Sequence, residues 1–383
     1  MRYEIVEGAR AFMALEPAYR ALYASSLASD PFNSPDWIYT WHAHYGDQGT
    51  PYAILIYDDH GQQLLCAFAL FRIARARSSS HAQQIVPMAY NSADYLEPLI
   101  TAADHAVSRP LASAIKKLLD SHQCALRIPE MPAVSAMAFC DALSQRGINY
   151  VDRRASLCPY VPLSGTFQEF LEARFNAKAR QTFRRKLRRL NDRGEVSITL
   201  AQTGEALDAL LPVIADIETQ SWKGDKNIGL FSSSRSRNFY IDVLKKLAIA
   251  GKARITALAI AGEPIAYELG LLSASRYMMY GTGYLPGYRQ YSPGAQLMLH
   301  NIRYSFGAGY RMYDLMCGDE DYKFQWATHA LRNRSVFAFG SSLRGWLDYR
   351  SVQGYTRLRG LARRVVRGKS ADDGLSGAQG IHG

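Results

Sequence analysis

Residues 253–284 read ARITALAIAGEPIAYELGLLSASRYMMYGTGY, and this stretch decides the fold. It holds three runs of β-branched, aliphatic and aromatic residues, at 253–260, 265–272 and 276–284. Ala261-Gly262-Glu263-Pro264 and Ser273-Ala274-Ser275 separate these runs. Such runs, joined by small and turn-forming residues, are typical of consecutive strands with tight connections. The stretch therefore predicts a three-strand meander.

Helices and strands alternate on both sides of this meander. Apolar spacing predicts a helix before it, and another after the loop rich in Gly, Pro and Tyr that follows it. The predicted order in this half of the chain is helix 239–250, the meander, helix 294–306, strand 311–316 and strand 334–340.

The first half of the chain shows a similar order of elements. Residues 51–73 predict a hairpin that turns at Asp58-Asp59-His60-Gly61. A helix at 105–121, a strand at 125–128, a helix at 134–144 and an extended stretch at 149–163 follow. The order of elements repeats without a residue-by-residue repeat, which predicts an α+β protein duplicated at the level of the fold.

Two domains are expected from the length of 383 residues, because domains usually contain about 100–200 residues. We predict an N-terminal domain at 1–165, a basic amphipathic connecting helix at 166–195, a C-terminal domain at 196–345 and a basic tail at 346–383. The final stretch, 369–383, contains too few apolar side chains to fold, so it is predicted to be disordered.

The net charge of +11 is concentrated at 174–193 and 350–369. In the first block, Arg and Lys surround apolar residues at helical spacing, Phe175, Ala179, Phe183, Leu187 and Leu190. The charged face of this helix is either only solvated, or it faces a phosphate-bearing acceptor or an anionic membrane surface. Nucleic acid is disfavoured as a partner, because aromatic side chains that stack on bases are not interleaved with the charges.

The composition excludes several classes of protein. An apolar fraction of 48 % and a charged fraction of 21 % are those of a globular protein. Apolar runs stay far below the roughly 20 residues of a membrane-spanning helix, and the acidic N-terminus MRYEIVEGAR is unlike a signal peptide, so a cytoplasmic protein is expected. The scattered cysteines are expected to be buried hydrophobes, and neither they nor the histidines show metal-ligand spacing, so no metal is predicted. Hydrolase and kinase motifs are missing from the sequence.

Ser292-Pro293-Gly294 stands where the helix at 294–306 begins. Ser is a favoured N-cap and Pro suits the first helical position, so the triplet either only caps the helix or also exposes N–H groups that bind phosphate. Arg289 lies just upstream and adds a positive charge. The preceding strand contains Gly281 and Gly283, where the backbone is bare, so an extended ligand arm is expected to lie alongside it.

Several short motifs are distributed over the second half. They are the basic run 184–189, Trp222-Lys223, Tyr291-Ser292-Pro293-Gly294, Tyr313-Asp314, Gly318, and Tyr322-Lys323 before Trp326. In these motifs the chain resembles the GNAT-superfamily group that includes the CelD-type acetyltransferases of cellulose biosynthesis, and more distantly the Fem aminoacyl-ligases. In the first half the resemblance is limited to FNSPDWIYTWHAHYG at 32–46.

The resemblance implies tandem GNAT-like domains, each a mixed, mostly antiparallel sheet flanked by helices. It also implies acyl-CoA as a co-substrate, bound by Arg289, Gln290, Ser292 and Gly294. An ordinary GNAT phosphate motif has Arg or Gln followed by spaced glycines, and this chain departs from it. Acyl-CoA and aminoacyl-tRNA therefore both stay open as donors.

Glu218 and Trp222 lie one helical turn apart in IADIETQSWKGD. We expect the carboxylate and the indole to share a face beside an acceptor amine, with Glu218 as the base, although a solvated surface glutamate is the alternative. Tyr267 and Tyr322 are added as residues that contact the acceptor.

Asp314 lies in the predicted strand at 311–316, where a charge needs a partner. The resemblance points to Lys323 nearby. Lys323 either neutralises Asp314 or stabilises an oxyanion in the reaction. A cleft between the two domains would bring these groups to the acceptor.

The sequence thus predicts an acyl-CoA-dependent N-acyltransferase in which an amine attacks the thioester directly. The acceptor is expected to be a small-molecule or glycan-linked amine, and the expected setting is exopolysaccharide or envelope metabolism. A peripheral position at the inner membrane stays open. Two alternatives stay open: a Fem-type ligase that uses aminoacyl-tRNA, and a non-catalytic binding protein of a polysaccharide system.

Overall fold

The computed structural model describes residues 1–26, 30–73, 83–101, 105–201, 204–226 and 228–356. The tail predicted to be disordered, 369–383, lies outside these ranges. Within them the strands are β1 Arg2–Glu7, β2 Gly49–Tyr57, β3 Leu64–Ile73, β4 Gln84–Pro87, β5 Leu99–Ile100, β6 Ala125–Met131, β7 Asn149–Pro162, β8 Val196–Ala201, β9 Ala253–Ile260, β10 Glu263–Leu272, β11 Arg276–Tyr284, β12 Met312–Asp314 and β13 His329–Phe339.

Helices flank these strands. They are α1 Ala9–Ala14, α2 Glu16–Ser25, α3 Pro35–Tyr45, α4 Ser108–His122, α5 Ala133–Gln145, α6 Phe167–Arg174, α7 Ala177–Asn191, α8 Gly204–Gln220, α9 Trp222–Asp225, α10 Ser234–Ile249, α11 Pro293–Gly307 and α12 Asp321–Trp326, followed by a helix at 343–356. Among the described residues, none of the helices is both long enough and apolar enough to cross a bilayer.

The strands join in one sheet in the order β1-β2-β3-β4-β6-β13-β7-β12-β11-β10-β9-β8, and β5 adds to β3. Neighbours are antiparallel except for β4 with β6 and β11 with β12. The predicted meander is confirmed as β9, β10 and β11, and the predicted hairpin as β2 and β3. Each half of the chain is a mixed, mostly antiparallel sheet flanked by helices, so the predicted fold class is confirmed.

The two halves exchange strands at the centre of this sheet. β13 is the last strand of the second half, yet it pairs with β6 of the first half, with Phe337 opposite Arg127. β7 closes the first half in sequence, yet it pairs with β12, with Val161 opposite Tyr313. The exchange was not foreseen, and the exact limits of the two domains stay a prediction.

Helices α3 and α10 pack together across the halves. The fully buried Trp37 on α3 meets Phe239 on α10 in an edge-to-face contact, with 5.7 Å between ring centroids. His44 Nε2 lies 2.8 Å from Asp242 Oδ2 on the same helix. The segment at 32–46 that carries the resemblance in the first half therefore holds the two halves together.

The connecting segment at 166–195 is not one helix, as predicted, but two. Asn176 interrupts it, because its side chain accepts a hydrogen bond from the N–H of Ala179 at 2.9 Å and so caps α7. Phe175 and Phe183 still point inward, where both rings pack against Trp326 of α12. Leu187, assigned to the apolar face, is 36 % exposed.

β11 and β12 separate after a short parallel pairing that ends at Met278 and Asp314. Beyond Asp314 the chain follows β7 instead: the N–H of Leu315 donates to Pro159 O and that of Gly318 to Leu157 O, both at 2.9 Å. The β12 side of β11, from Met279 to Tyr284, consequently has no strand partner within the described part of the chain. This open edge positions the site.

Candidate active site

The start of α11 lies at the Tyr284 end of the open edge. Ser292 occupies the N-cap position in a left-handed conformation, with φ 52° and ψ 56°. Its hydroxyl does not cap the helix but accepts a hydrogen bond from Lys186 Nζ of α7 at 2.6 Å. The prediction that the Ser292 side chain caps α11 is therefore wrong. The hydroxyl binds the ammonium of Lys186 instead.

Positive charge and free space meet at this helix start. A Cβ placed on Gly294 would have only the Tyr284 ring nearby, at 3.8 Å. Arg289 and Gln290 are exposed in the turn before the helix. The guanidinium of Arg189 on α7 lies 5.7 Å from the centre of the Tyr291 ring. Cations and helix N–H groups that face open space form a site able to bind a phosphate.

Gly281 and Gly283 leave room for side chains of the protein itself, not for a ligand on the face of the strand. A Cβ on Gly281 would lie 2.9 Å from Leu230, and one on Gly283 would lie 2.7 Å from the Tyr267 ring. The expectation that the faces of these glycines are open is wrong, because side chains of the protein fill that space. The edge of β11, not its face, is what remains open.

Glu218 at the end of α8 is 1 % exposed, so it is not a solvated surface residue. Its Oε1 accepts a hydrogen bond from the N–H of Phe231 at 2.9 Å, and its Oε2 accepts one from the Tyr267 hydroxyl at 2.5 Å. Burial, followed by the Glu218 charge, raises the pKa of Tyr267 well above its ordinary value. A cavity of about 70 Å³ reaches the carboxylate. The structure thus brings together Glu218 and Tyr267.

Trp222 does not share a helix face with Glu218. α8 ends at Gln220, and Ser221 turns the chain by donating its hydroxyl to the Glu218 carbonyl at 2.7 Å. Trp222 is 41 % exposed and contacts Lys226 instead. Lys223 was not predicted as a site residue, yet its Nζ lies 3.7 Å from Glu218 Oε2. Burial lowers the pKa of Lys223, and Glu218 partly offsets that effect.

Asp314 is 1 % exposed and is not paired with Lys323. Its Oδ2 accepts a hydrogen bond from the Tyr95 hydroxyl at 2.7 Å and lies 3.7 Å from Arg276 Nη1. The N–H of Met316 donates to Oδ1 at 2.9 Å. Burial raises the pKa of Asp314, and these partners oppose the rise. The neutralising role expected of Lys323 is therefore filled by Arg276.

Lys323 on α12 is 4 % exposed. Its Nζ donates to the carbonyl of Cys317 at 2.7 Å and lies 3.0 Å from Glu320 Oε2. Tyr322, next to it, is mostly buried, and burial raises the pKa of its hydroxyl. Because Glu320 is half exposed, the ammonium of Lys323 lies between the buried turn at Cys317 and the solvent.

Asp94 was also missed by the sequence analysis, and it comes from the first half of the chain. Its Oδ2 accepts a hydrogen bond from the N–H of Cys317 at 3.1 Å, on the turn whose carbonyl binds Lys323. Burial raises the pKa of Asp94 to about 7, although Cys317 and Lys323 act in the opposite direction. A carboxyl that titrates near neutral pH therefore stands beside Lys323. Cys317 is partly exposed, whereas the other four cysteines are buried, as predicted.

Glu268 on β10 anchors a second buried polar group, beneath α11. One of its oxygens, Oε1, accepts hydrogen bonds from Tyr313 at 2.7 Å, Asn301 at 2.8 Å and Tyr277 at 3.1 Å. Its Oε2 has no hydrogen-bond partner within the described ranges, and burial raises the pKa of Glu268 to about 7. The group lies on the α11 side of the sheet, where it holds the helix to β10 through Asn301.

Residues 177–324 match the family model described as an acetyltransferase (GNAT) domain. This stretch of the chain is therefore a GNAT-type acyltransferase domain. The matched stretch begins with α7 and ends in α12, so it contains Glu218, the open edge of β11, the start of α11 and Lys323. The narrower resemblance to the CelD-type group stays a prediction.

Solved structures resemble this acyltransferase at the level of the fold. FemX aligns with a TM-score of 0.58 and 11 % identity over 88 % of this chain and 97 % of its own. A conserved protein of unknown function from Bacteroides thetaiotaomicron VPI-5482 gives a TM-score of 0.55 and 11 % identity over 85 % and 97 %. No curated protein matches the chain.

Proposed function

We propose that this acyltransferase uses acyl-CoA to acylate an amine. The observation that carries the proposal is the open edge of β11. The start of α11, which can bind phosphate, lies at its Tyr284 end, and Lys323 lies near its Met279 end. These six strand residues span about 20 Å, at roughly 3.3 Å per residue. An extended pantetheine arm can pair with that edge as an added strand does.

The diphosphate of CoA would lie at the N–H groups around Gly294. Lys186 and Arg289 supply the opposite charge there, and the positive end of the α11 dipole adds to it. The thioester would then lie near Met279 and Gly281. Leu230 covers Gly281, and Gly229 beside it contacts Glu218, so the reacting carbon and the Glu218 carboxylate come to the same end of the edge.

The transfer is a direct attack. The amine nitrogen forms a bond to the thioester carbon, the carbon–sulfur bond breaks, and CoA leaves as a thiolate that takes up a proton. Glu218 accepts the proton lost by the ammonium, directly or through a water, while Tyr267 holds its carboxylate in place. Lys323 is positioned to stabilise the negative charge on the carbonyl oxygen.

The acceptor is proposed to be a cationic amine on a small molecule or a glycan. Carboxylates from both halves lie near the Met279 end of the open edge, where we place the acceptor. They are Glu218, Asp94 and Glu320. Negative charge at that end attracts an ammonium group before it is deprotonated. The exposed Trp222 and the mostly buried Tyr322 are kept as proposed acceptor contacts. The setting in exopolysaccharide or envelope metabolism rests on the sequence resemblance alone.

Mass spectrometry of the ligands retained by the purified protein tests the donor. We expect a CoA species, and acyl transfer from acyl-CoA to amino sugars or simple amines without tRNA. A strict requirement for charged tRNA would replace the proposal by a Fem-type ligase. Failure to bind or use either donor would favour a non-catalytic binding protein.

A further inference from the structure

Four basic side chains share the outer face of α7. Lys178, Arg184, Arg185 and Arg188 are exposed and lie on the side of the helix opposite the buried Leu190. Their spacing of three, four and seven residues brings them onto one stripe. They are distinct from Lys186 and Arg189, which turn toward the start of α11.

This positive charge is not neutralised by the described part of the chain. Ion pairs are formed by basic residues on other helices, such as Lys116 with Asp120 and Lys245 with Asp208. None of the four α7 residues takes part in an ion pair with a described residue. A stripe of unpaired charge is typical of a surface that meets an anionic partner.

Exposed aliphatic side chains continue the stripe onto β8, the edge strand of the sheet. Ile198 and Leu200 are 36 % and 40 % exposed. They pair in register with Leu258 and Thr256 of β9, and Thr256 bonds to Asn301 of α11. Ile198 and Leu200 therefore lie on the same side of the sheet as α11. Since Val196 at the start of β8 packs against the apolar cluster that contains Leu190 of α7, the two elements form one surface, called here the α7–β8 surface.

The same side of the sheet carries two further arginines beyond Leu200. Arg254 and Arg303 line a shallow groove of about 580 Å³ along α11. Arg254 is 6 % exposed, and its Nε has no hydrogen-bond partner among the described residues. The basic character of the α7–β8 surface is thus not confined to one helix.

We propose that the α7–β8 surface docks the protein on an anionic lipid bilayer. Each basic residue near such a surface adds about 1 kcal/mol of attraction, and aliphatic side chains between the charges enter the interface. A second copy of the chain would bring like charges together on this surface. A nucleic acid would be met by exposed aromatic side chains, and here the exposed apolar residues are aliphatic.

Sedimentation of the full-length protein with vesicles tests the proposal. Vesicles of phosphatidylglycerol and phosphatidylcholine in equal amounts should bind it at low salt, and vesicles of phosphatidylcholine alone should not. Arg184→Glu with Arg188→Glu should lower the partition coefficient at least about tenfold, given the attraction per basic residue. Ile198→Thr with Leu200→Thr should weaken binding severalfold and make what remains more sensitive to salt.

A matched variant controls for net charge. Lys117→Glu with Arg146→Glu makes the same charge change at exposed positions of the first half, and it should bind vesicles within about twofold of the wild type. Equal losses in both double variants would overturn the proposal, and so would a loss caused only by Arg363→Glu with Arg364→Glu in the tail. Tighter binding to single-stranded RNA than to anionic vesicles at equal ionic strength would assign the surface to nucleic acid instead. Acyl transfer to a soluble amine is measured in parallel, so failure of docking is separable from failure of the enzyme.

Discussion

The hydroxyl of Tyr267 on β10 donates a 2.5 Å hydrogen bond to Oε2 of Glu218 on α8. Both side chains are buried, and burial keeps the tyrosine protonated by raising its pKa well above its ordinary value. Tyr267 is thus always the donor and Glu218 the acceptor, which fixes the carboxylate at the edge of its small cavity.

Glu218→Gln should lower kcat by about 10²–10⁴-fold, the usual loss when a general base is removed, and should also lower the free energy of unfolding, because the buried Lys223 loses its charge partner. Steady-state kinetics and urea unfolding measure the two effects. Asp216→Asn on the same helix, where the carboxylate is exposed and paired with Arg237, should leave both unchanged. If Asp94→Asn abolishes turnover and Glu218→Gln does not, the base is Asp94.

Lys323→Met should lower turnover by about 10²–10³-fold if its ammonium stabilises the oxyanion. Glu320→Gln removes only its half-exposed ion-pair partner, so it should cost at most about 1 kcal/mol of unfolding free energy and retain kcat, with an effect on activity limited to a raised KM for the acceptor amine. Kinetics and urea unfolding of both variants are compared. Unchanged turnover in a folded Lys323→Met protein would limit Lys323 to holding the turn at Cys317.

Gly294→Glu should abolish thermal protection by CoA, because a carboxylate would occupy the open space at the start of α11. Wild-type protein should gain about 3 kcal/mol of stability at CoA concentrations 100-fold above Kd, seen as a raised Tm. Gly307→Glu, at the other end of the same helix and with no atom within 4 Å of its Cβ, is the matched control and should keep the protection. If saturating CoA and acyl-CoA leave the wild-type Tm unchanged, the assignment of the donor site to the start of α11 is wrong.

Glu268 should make the protein less stable as pH rises. Its folded pKa of about 7 is above the value in the unfolded chain, so the folded state binds more protons at intermediate pH. Stability is therefore highest below the unfolded pKa and falls as pH rises through about 7. Relative to wild type, Glu268→Gln should gain roughly 2–3 kcal/mol of unfolding free energy between pH 5 and pH 8. Urea unfolding at the two pH values checks this, and a constant difference between the proteins would show that Glu268 does not titrate in this range.

Local patterns determined much of the fold before any contact was known. The meander at 253–284, the helix after Ser292 and the family match at 177–324 follow from side-chain alternation, helical spacing and short motifs. Edge strands such as β1 and β8 were not predicted, because their half-exposed residues form no apolar run. The break at Asn176 was not predicted for a similar reason. The apolar periodicity continues across it, and only the hydrogen bond by which Asn176 caps α7 marks the start of a new helix.

The candidate site was predictable only in part. Glu218, Tyr267 and Lys323 were named from the sequence, but their partners are residues that the chain brings near from far away. Asp94 and Cys317 are 223 positions apart, and Tyr95 and Asp314 are 219 apart. The exchange of β7 and β13 between the halves places these residues side by side. A sequence by itself determines local propensity and the order of elements; which buried charge meets which partner is decided by tertiary packing, because a desolvated carboxylate binds whichever donor the fold brings within reach.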